Sequence, residues 1–269
     1  MEIVKKNAED KRKGALHVLP PEPLIRFCGV HKRFGPKIIY TGLDLDVYPG
    51  EVLTIIGGSG VGKSVMLKLL LGLIRIDAGS ITAFGEEVTT LAPAPLTALR
   101  KRIAMLFQGG ALFDSMTVAQ NIRYPMLEHG WGDEDGRTQR VAEVLEMVGL
   151  PGVEHLYPAE LSGGMRKRVG LARAIAMQPD VILYDEPTTG LDPINIRRIN
   201  GLIRSLQARL GVTSIVVTHD MDSAFTVADR FAMVRDQRIG YTGTRAETER
   251  SEIPWVREFV VGGKGVLHD

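Results

Sequence analysis

Val52-Leu53-Thr54-Ile55-Ile56-Gly57-Gly58-Ser59-Gly60-Val61-Gly62-Lys63-Ser64 is the stretch that decides the fold. Its first five residues form a short apolar run, the pattern of a strand buried on both faces. The next eight fit G-x-x-x-x-G-K-[ST]. A largely apolar helix is expected to follow, from Gly62 to Ile74. The pattern needs this context: the glycines let the backbone curl until its N–H groups converge on phosphate oxygens. The helix N-terminus adds a partial positive charge of ~0.5. Gly57, Gly58, Ser59, Gly60, Val61, Gly62, Lys63 and Ser64 are therefore the expected phosphate cradle. Lys63 should reach the β- and γ-phosphates, and the Ser64 hydroxyl should hold Mg²⁺. A glycine-rich turn with no ligand is the competing reading, and the complete match in its strand–helix setting disfavours it.

Working outward, Leu43, Leu45 and Val47 alternate with Asp44, Asp46 and Tyr48, as in a half-buried strand, and Pro49-Gly50 turns the chain. Downstream, Val141, Val144, Leu145 and Val148 line one helix face that Gly149 can close. Asp192 can cap a helix starting at Pro193, with Ile196, Ile199, Ile203, Leu206 and Leu210 as its apolar stripe and Gly211 at its end. Residues 181–184 and 214–217 read as further buried strands. Strands alternating with helices imply an α/β fold with a parallel sheet. The strand Val181-Ile182-Leu183-Tyr184 runs into Asp185-Glu186, and the carboxyl end of a parallel strand faces the ligand crevice. There Asp185 is expected to bind Mg²⁺ through water, and Glu186 to take a proton from an attacking water.

Composition sets bounds. The 269 residues are 44% hydrophobic and 24% charged, with a formal net charge of +1. This suits an ordinary globular chain and argues against a broad nucleic-acid surface. A single cysteine, Cys28, excludes an internal disulfide scaffold; it reads as a small apolar strand residue. Residues 65–76 are the best candidate for a membrane span, but Lys68 and Arg75 interrupt them, and a span needs ~20 apolar residues. The charged start, MEIVKKNAEDKRKG, lacks the apolar core of a secretory signal. Residues 1–23 read as a solvated tail with a proline-rich end; their lysines could meet anionic lipid, but the interspersed acids weaken that reading.

Leu161-Ser162-Gly163-Gly164-Met165 identifies the family. It resembles the LSGGQ signature of ATP-binding cassette (ABC) ATPases, and its place upstream of the acidic strand agrees. The resemblance implies that Ser162, Gly163 and Gly164, at a helix start, meet the γ-phosphate of an ATP bound by a second copy of the chain. Met165 departs from the usual Gln. Further motifs follow in family order. Phe34 matches the aromatic that stacks on adenine. Gln108 matches the glutamine that meets Mg²⁺ and water. Asp192, in Thr189-Gly190-Leu191-Asp192, matches the loop linking the two sites. His219, in Val217-Thr218-His219-Asp220, matches the histidine that contacts the γ-phosphate and positions the water. Glu186, His219 and Gln108 are thus the expected catalytic set, and Ser64, Gln108 and Asp185 the expected metal set.

The resemblance implies a P-loop NTPase with an N-terminal antiparallel β portion and a helical subdomain near residues 109–178. The cassette would span 24–245, followed by a C-terminal helix and tail at 246–269. The run Phe107-Gln108-Gly109-Gly110-Ala111-Leu112-Phe113-Asp114-Ser115-Met116-Thr117-Val118 resembles ATPases of the Mla type, which move phospholipids between membranes. The Met-ended signature and Pro254-Trp255-Val256-Arg257-Glu258-Phe259 fit the same group. ATP and Mg²⁺, a second copy, an integral-membrane permease and a membrane-anchored lipid-binding subunit are the implied cofactors and partners, with no nucleic acid. The implied location is the cytoplasmic face of the inner membrane. Leu112 and Phe113 are expected to line the groove that receives a permease helix. An importer of polar amino acids or amines is the competing reading, and an ABC ATPase acting on DNA or ribosomes is the competing class.

Overall fold

The computed structural model describes residues 22–263. The lysines expected in the tail therefore lie outside the described residues, as does the chain after 263. The first part is antiparallel. Strands β1 (Ile25–Phe34), β2 (Lys37–Val47), β4 (Ala78–Ala83) and β5 (Glu86–Glu87) form a sheet in the order β2-β1-β4-β5. On β2, Leu43, Leu45 and Val47 are buried while Asp44 is exposed, so the period-two pattern did set its inward face. Cys28 lies on β1 and is exposed, contrary to the apolar reading.

The second sheet carries the site. It contains β3 (Val52–Ile56), β6 (Ile103–Leu106), β7 (Val181–Asp185), β8 (Thr213–Val217), β9 (Arg230–Arg235) and β10 (Arg238–Thr244) in the order β10-β9-β3-β8-β7-β6. All pairings are parallel except β9 with β10. Its central strands are covered on both faces. Leu53, Ile55, Leu183 and Val217 join the core shared with the antiparallel sheet and α1 (Lys63–Leu70). Ile182, Tyr184 and Val216 face the opposite core.

Helix α1 ends earlier than expected: Leu71 caps it, and Gly72, at φ +61°, turns the chain before Ile74. Next comes α2 (Pro93–Arg102). Between β6 and β7 the described chain contains α3 (Val118–Glu128), α4 (Glu134–Met147) and α5 (Gly163–Ile175), with one short 3-10 turn and no strand. Val141, Val144, Leu145 and Val148 are buried on or just beyond α4, whose following Gly149 has φ +66°. In α6 (Pro193–Leu210) the stripe is buried at Ile199, Ile203 and Leu206, but Leu210, in the last turn, is exposed. Helices α7 (Met221–Val227), α8 (Arg245–Glu249) and α9 (Pro254–Gly263) complete the described chain; Val256 and Val260 of α9 pack on Ile56 and Phe231.

Candidate active site

The loop after β3 lies at the carboxyl ends of parallel strands. Gly60 and Gly62 have φ +75° and +106°. A Cβ on Gly62 would lie 2.5 Å from Ile39 Cγ2, so the position excludes a side chain on space as well as on backbone conformation. Behind it, the buried Tyr40 hydroxyl donates to the Gly62 carbonyl at 2.6 Å. Lys63 is buried, and its ammonium donates to the carbonyls of Gly57 (2.9 Å) and Gly58 (3.0 Å). Burial lowers its pKa, and the charges of Glu186 and Asp185 oppose that.

The acids arrive from the end of β7, separated from β3 by β8. The Ser64 hydroxyl donates to Asp185 Oδ1 at 2.6 Å. Two hard oxygens from different elements thus converge beside the loop, a donor set suited to Mg²⁺. Just beyond β7, Glu186 adopts a left-handed φ of +50° while its N–H still bonds the Val217 carbonyl at 2.9 Å. A non-glycine residue held there costs about 1–3 kcal/mol, which the surrounding bonds must offset. The Glu186 carboxylate is nearly enclosed, whereas His219 is mostly exposed. His219 Nδ1 lies 2.9 Å from Glu186 Oε2, and Thr189 Oγ1 donates to the same oxygen at 3.1 Å.

Other candidates stand further out. Phe34 ends β1 and is 44% exposed, and the Lys32 ammonium lies 5.0 Å from the centre of its ring while paired to Asp77 at 3.0 Å. The Lys32 and Arg33 contacts hold the Asp77 carboxyl below its usual range. Gln108, two residues after β6, is exposed. Ser162 caps α5 by accepting from the Met165 N–H at 3.2 Å. No hydrogen bond or ion pair among the described residues joins 162–164 to the 57–64 loop. Gly164 instead abuts Asn195, which donates to Asp192 Oδ2 at 2.5 Å. Bonds from Asn195 and Ile194 hold the Asp192 carboxyl below its ordinary range.

Phosphate loop, hydroxyl–acid pair and signature helix in one fold are the combination that decides the family. The chain belongs to the ABC transporter ATP-binding family. The profile of that family, "ABC transporter", matches residues 40–189. The chain is 41% identical, over 85% of its length and 86% of the relative, to the "Intermembrane phospholipid transport system ATP-binding protein MlaF" of Haemophilus influenzae. It is 40% identical, over 91% of its length and 70% of the relative, to the "Probable ribonucleotide transport ATP-binding protein mkl" of Mycobacterium leprae. Among solved structures it matches the dimeric, ADP- and phosphate-bound "ATP-binding cassette MJ0796" with TM-score 0.75 and 30% identity, over 82% of this chain and 98% of that one. This ABC cassette is an ATPase whose hydrolysis serves transport. Its antiparallel β part beside a mixed sheet is the expected architecture.

The sequence reading passed over Lys167 and Asn195. Lys167 had a signal: with Gly164 and Leu171 it lies on the stripe that α5 buries, so a lysine faces inward. A groove of about 370 Å³ is lined by Arg100, Phe107, Phe113, Tyr124 and Arg173 among others. Phe113 faces it, 4.9 Å from Tyr124. Leu112, expected beside it, is partly buried against the core instead.

Proposed function

We propose that this ATPase drives an inner-membrane phospholipid transporter as a head-to-tail pair of identical cassettes. The observation carrying the chemistry is the convergence of Ser64, Asp185, Glu186 and His219. Supporting the lipid reading is the likeness to a phospholipid-transport ATPase over most of both chains.

In each site, Phe34 would stack on adenine and the 57–64 loop would hold the phosphates. Ser64, Asp185 and Gln108 would hold Mg²⁺, which would supply positive charge to offset that of the phosphates. Glu186 accepts the proton of a water attacking the γ-phosphorus as the bond to the β-phosphate oxygen breaks. With Nδ1 turned to Glu186, His219 keeps Nε2 for the γ-phosphate. Ser162, Gly163 and Gly164 of the partner close the site, and Asp192 lies where the two sites meet. The cassette comprises 24–245, with 109–178 as the helical subdomain that docks on a permease; 246–269 is a C-terminal appendage. A membrane-anchored lipid-binding subunit completes the assembly, and this ATPase sits at the cytoplasmic face of the inner membrane. Among the described residues no helix is long and apolar enough to cross a membrane, so the reading requires a separate permease.

Vesicles containing the purified complex test the substrate. ATP-dependent movement of labelled phospholipid is the expected result. Movement of labelled ribonucleotide or amino acid without phospholipid refutes the lipid assignment and leaves the ATPase standing. Ser162→Arg tests the shared site: turnover should vanish while the separated chain still binds ATP. Equal loss of both refutes the sharing.

A further inference from the structure

Lys167 is only 5% exposed. Its ammonium donates to three backbone carbonyls in one short segment: Glu186 at 3.3 Å, Pro187 at 2.9 Å and Thr189 at 2.7 Å. Packing alone would be served by methionine, which avoids the cost of desolvating an ammonium. Burial lowers the pKa of Lys167, and the charge of Glu186 opposes that. The bonds converge on the backbone that orients the Glu186 carboxylate, because Thr189, whose carbonyl is held, also donates its hydroxyl to Glu186 Oε2.

At its other end, Lys167 belongs to the helix that begins with Ser162. It stands three and four residues after Gly164 and Gly163, one turn along the same side. The helix meets the following segment a second time where Gly164 abuts Asn195, leaving no room for a Cβ, which would lie 2.6 Å from Asn195 Oδ1. The signature helix and the backbone carrying Glu186 are thus joined through the Lys167 bonds.

We propose that Lys167 is a positioning residue. It ties Glu186 to the signature helix of its own subunit, so that Glu186 is aligned only when that helix has seated on the nucleotide held by the partner. The inference rests on the shared-site reading above, and it makes turnover in one site depend on nucleotide in the other.

The test uses the whole transporter complex, purified through a tag on this chain, with wild type, Lys167→Met and Lys167→Gln. ATP-induced cassette closure, KM for ATP, kcat and the Hill coefficient are read together. Lys167→Met should close with ATP and keep its KM, lose about tenfold or more in kcat, and lose cooperativity. Lys167→Gln keeps two donors and should fall between Lys167→Met and wild type. Should Lys167→Met fail to fold, Lys167→Gln carries the test: reduced kcat and Hill coefficient at unchanged KM support the proposal. Wild-type kcat and cooperativity in the variants overturn it, as does a loss appearing wholly in KM. Wild type that turns over without any closure or cooperativity overturns the shared-site reading instead.

Discussion

The cluster of Ser64, Asp185, Glu186 and His219 and the groove at Phe113 follow opposite rules. Around β3 and β7, polar groups find partners within the chain: Lys63 on loop carbonyls, Ser64 on Asp185, and His219 and Thr189 on Glu186. At the groove, large apolar side chains face outward. Phe107, Phe113 and Tyr124 are all at least 36% exposed. One region pairs its polar groups within its own chain. The other is a groove of exposed aromatic and basic side chains, held in shape by the buried Asn121. That side chain accepts from the Phe113 N–H at 2.8 Å and donates to the carbonyls of Phe113, Met116 and Thr117, each at 3.1 Å.

The comparison can be broken by variants that should affect one region and spare the other. The largest effect is expected for Glu186→Gln. Removing the proton acceptor should slow phosphate release by ~10²–10⁴-fold, while ATP binding persists and closed dimers accumulate on size exclusion. Wild-type turnover would remove Glu186 from its assigned role. Phe113→Asp should next release the cassette from its permease, since it removes an aromatic contact and buries a charge there, at a cost on the order of several kcal/mol unless Arg173, 5.8 Å from the Phe113 ring, pairs with it. Co-purification checks the release, and equilibrium ATP binding should stay unchanged. If ATP binding falls too, the two regions are not separable.

Asn121→Ala sharpens the contrast at lower amplitude. It removes the acceptor of the Phe113 N–H and the donor to the Met116 carbonyl, while the Phe113 and Thr117 carbonyls keep backbone donors, and should cost about 1–3 kcal/mol in denaturant unfolding. Permease affinity should fall with it while KM for ATP holds. The smallest effect belongs to Thr117→Ala. Thr117 Oγ1 accepts from the Gln120 N–H at 3.2 Å, and Gln120 Oε1 accepts from the Thr117 N–H at 2.8 Å, a reciprocal cap on α3. Its loss should cost about 1 kcal/mol, seen as a small drop in Tm with turnover of the assembled complex intact.

Legibility in the sequence followed the same division. The strand–loop–helix unit was readable because backbone conformation dictates residue type there: only glycine fits Gly62 between its left-handed φ and Ile39. The inward faces of β2 and α4 were readable because alternation and helical spacing repeat within a few residues. The end of α1 was not, since its apolar residues continue beyond Leu70 and the turn at Gly72 is a matter of local backbone. Nor was the exposure of Leu210, where the last turn of α6 runs past the core it covers.

By itself, then, the sequence determined the fold class, the glycine-rich strand–loop–helix unit, the acidic strand end and the family, because each is written in neighbouring residues. Tertiary structure alone decided which long-range partners meet: Ser64 with Asp185, Glu186 with His219, and Lys167 with the carbonyls that follow β7. It also turned Leu112 inward and Phe113 outward, though they are adjacent in the chain. The physical reason is that spacing along the chain sets the periodicity of a face. What that face meets is set by how the sheet and helices close on one another, and several helices of similar apolar pattern compete for the same core.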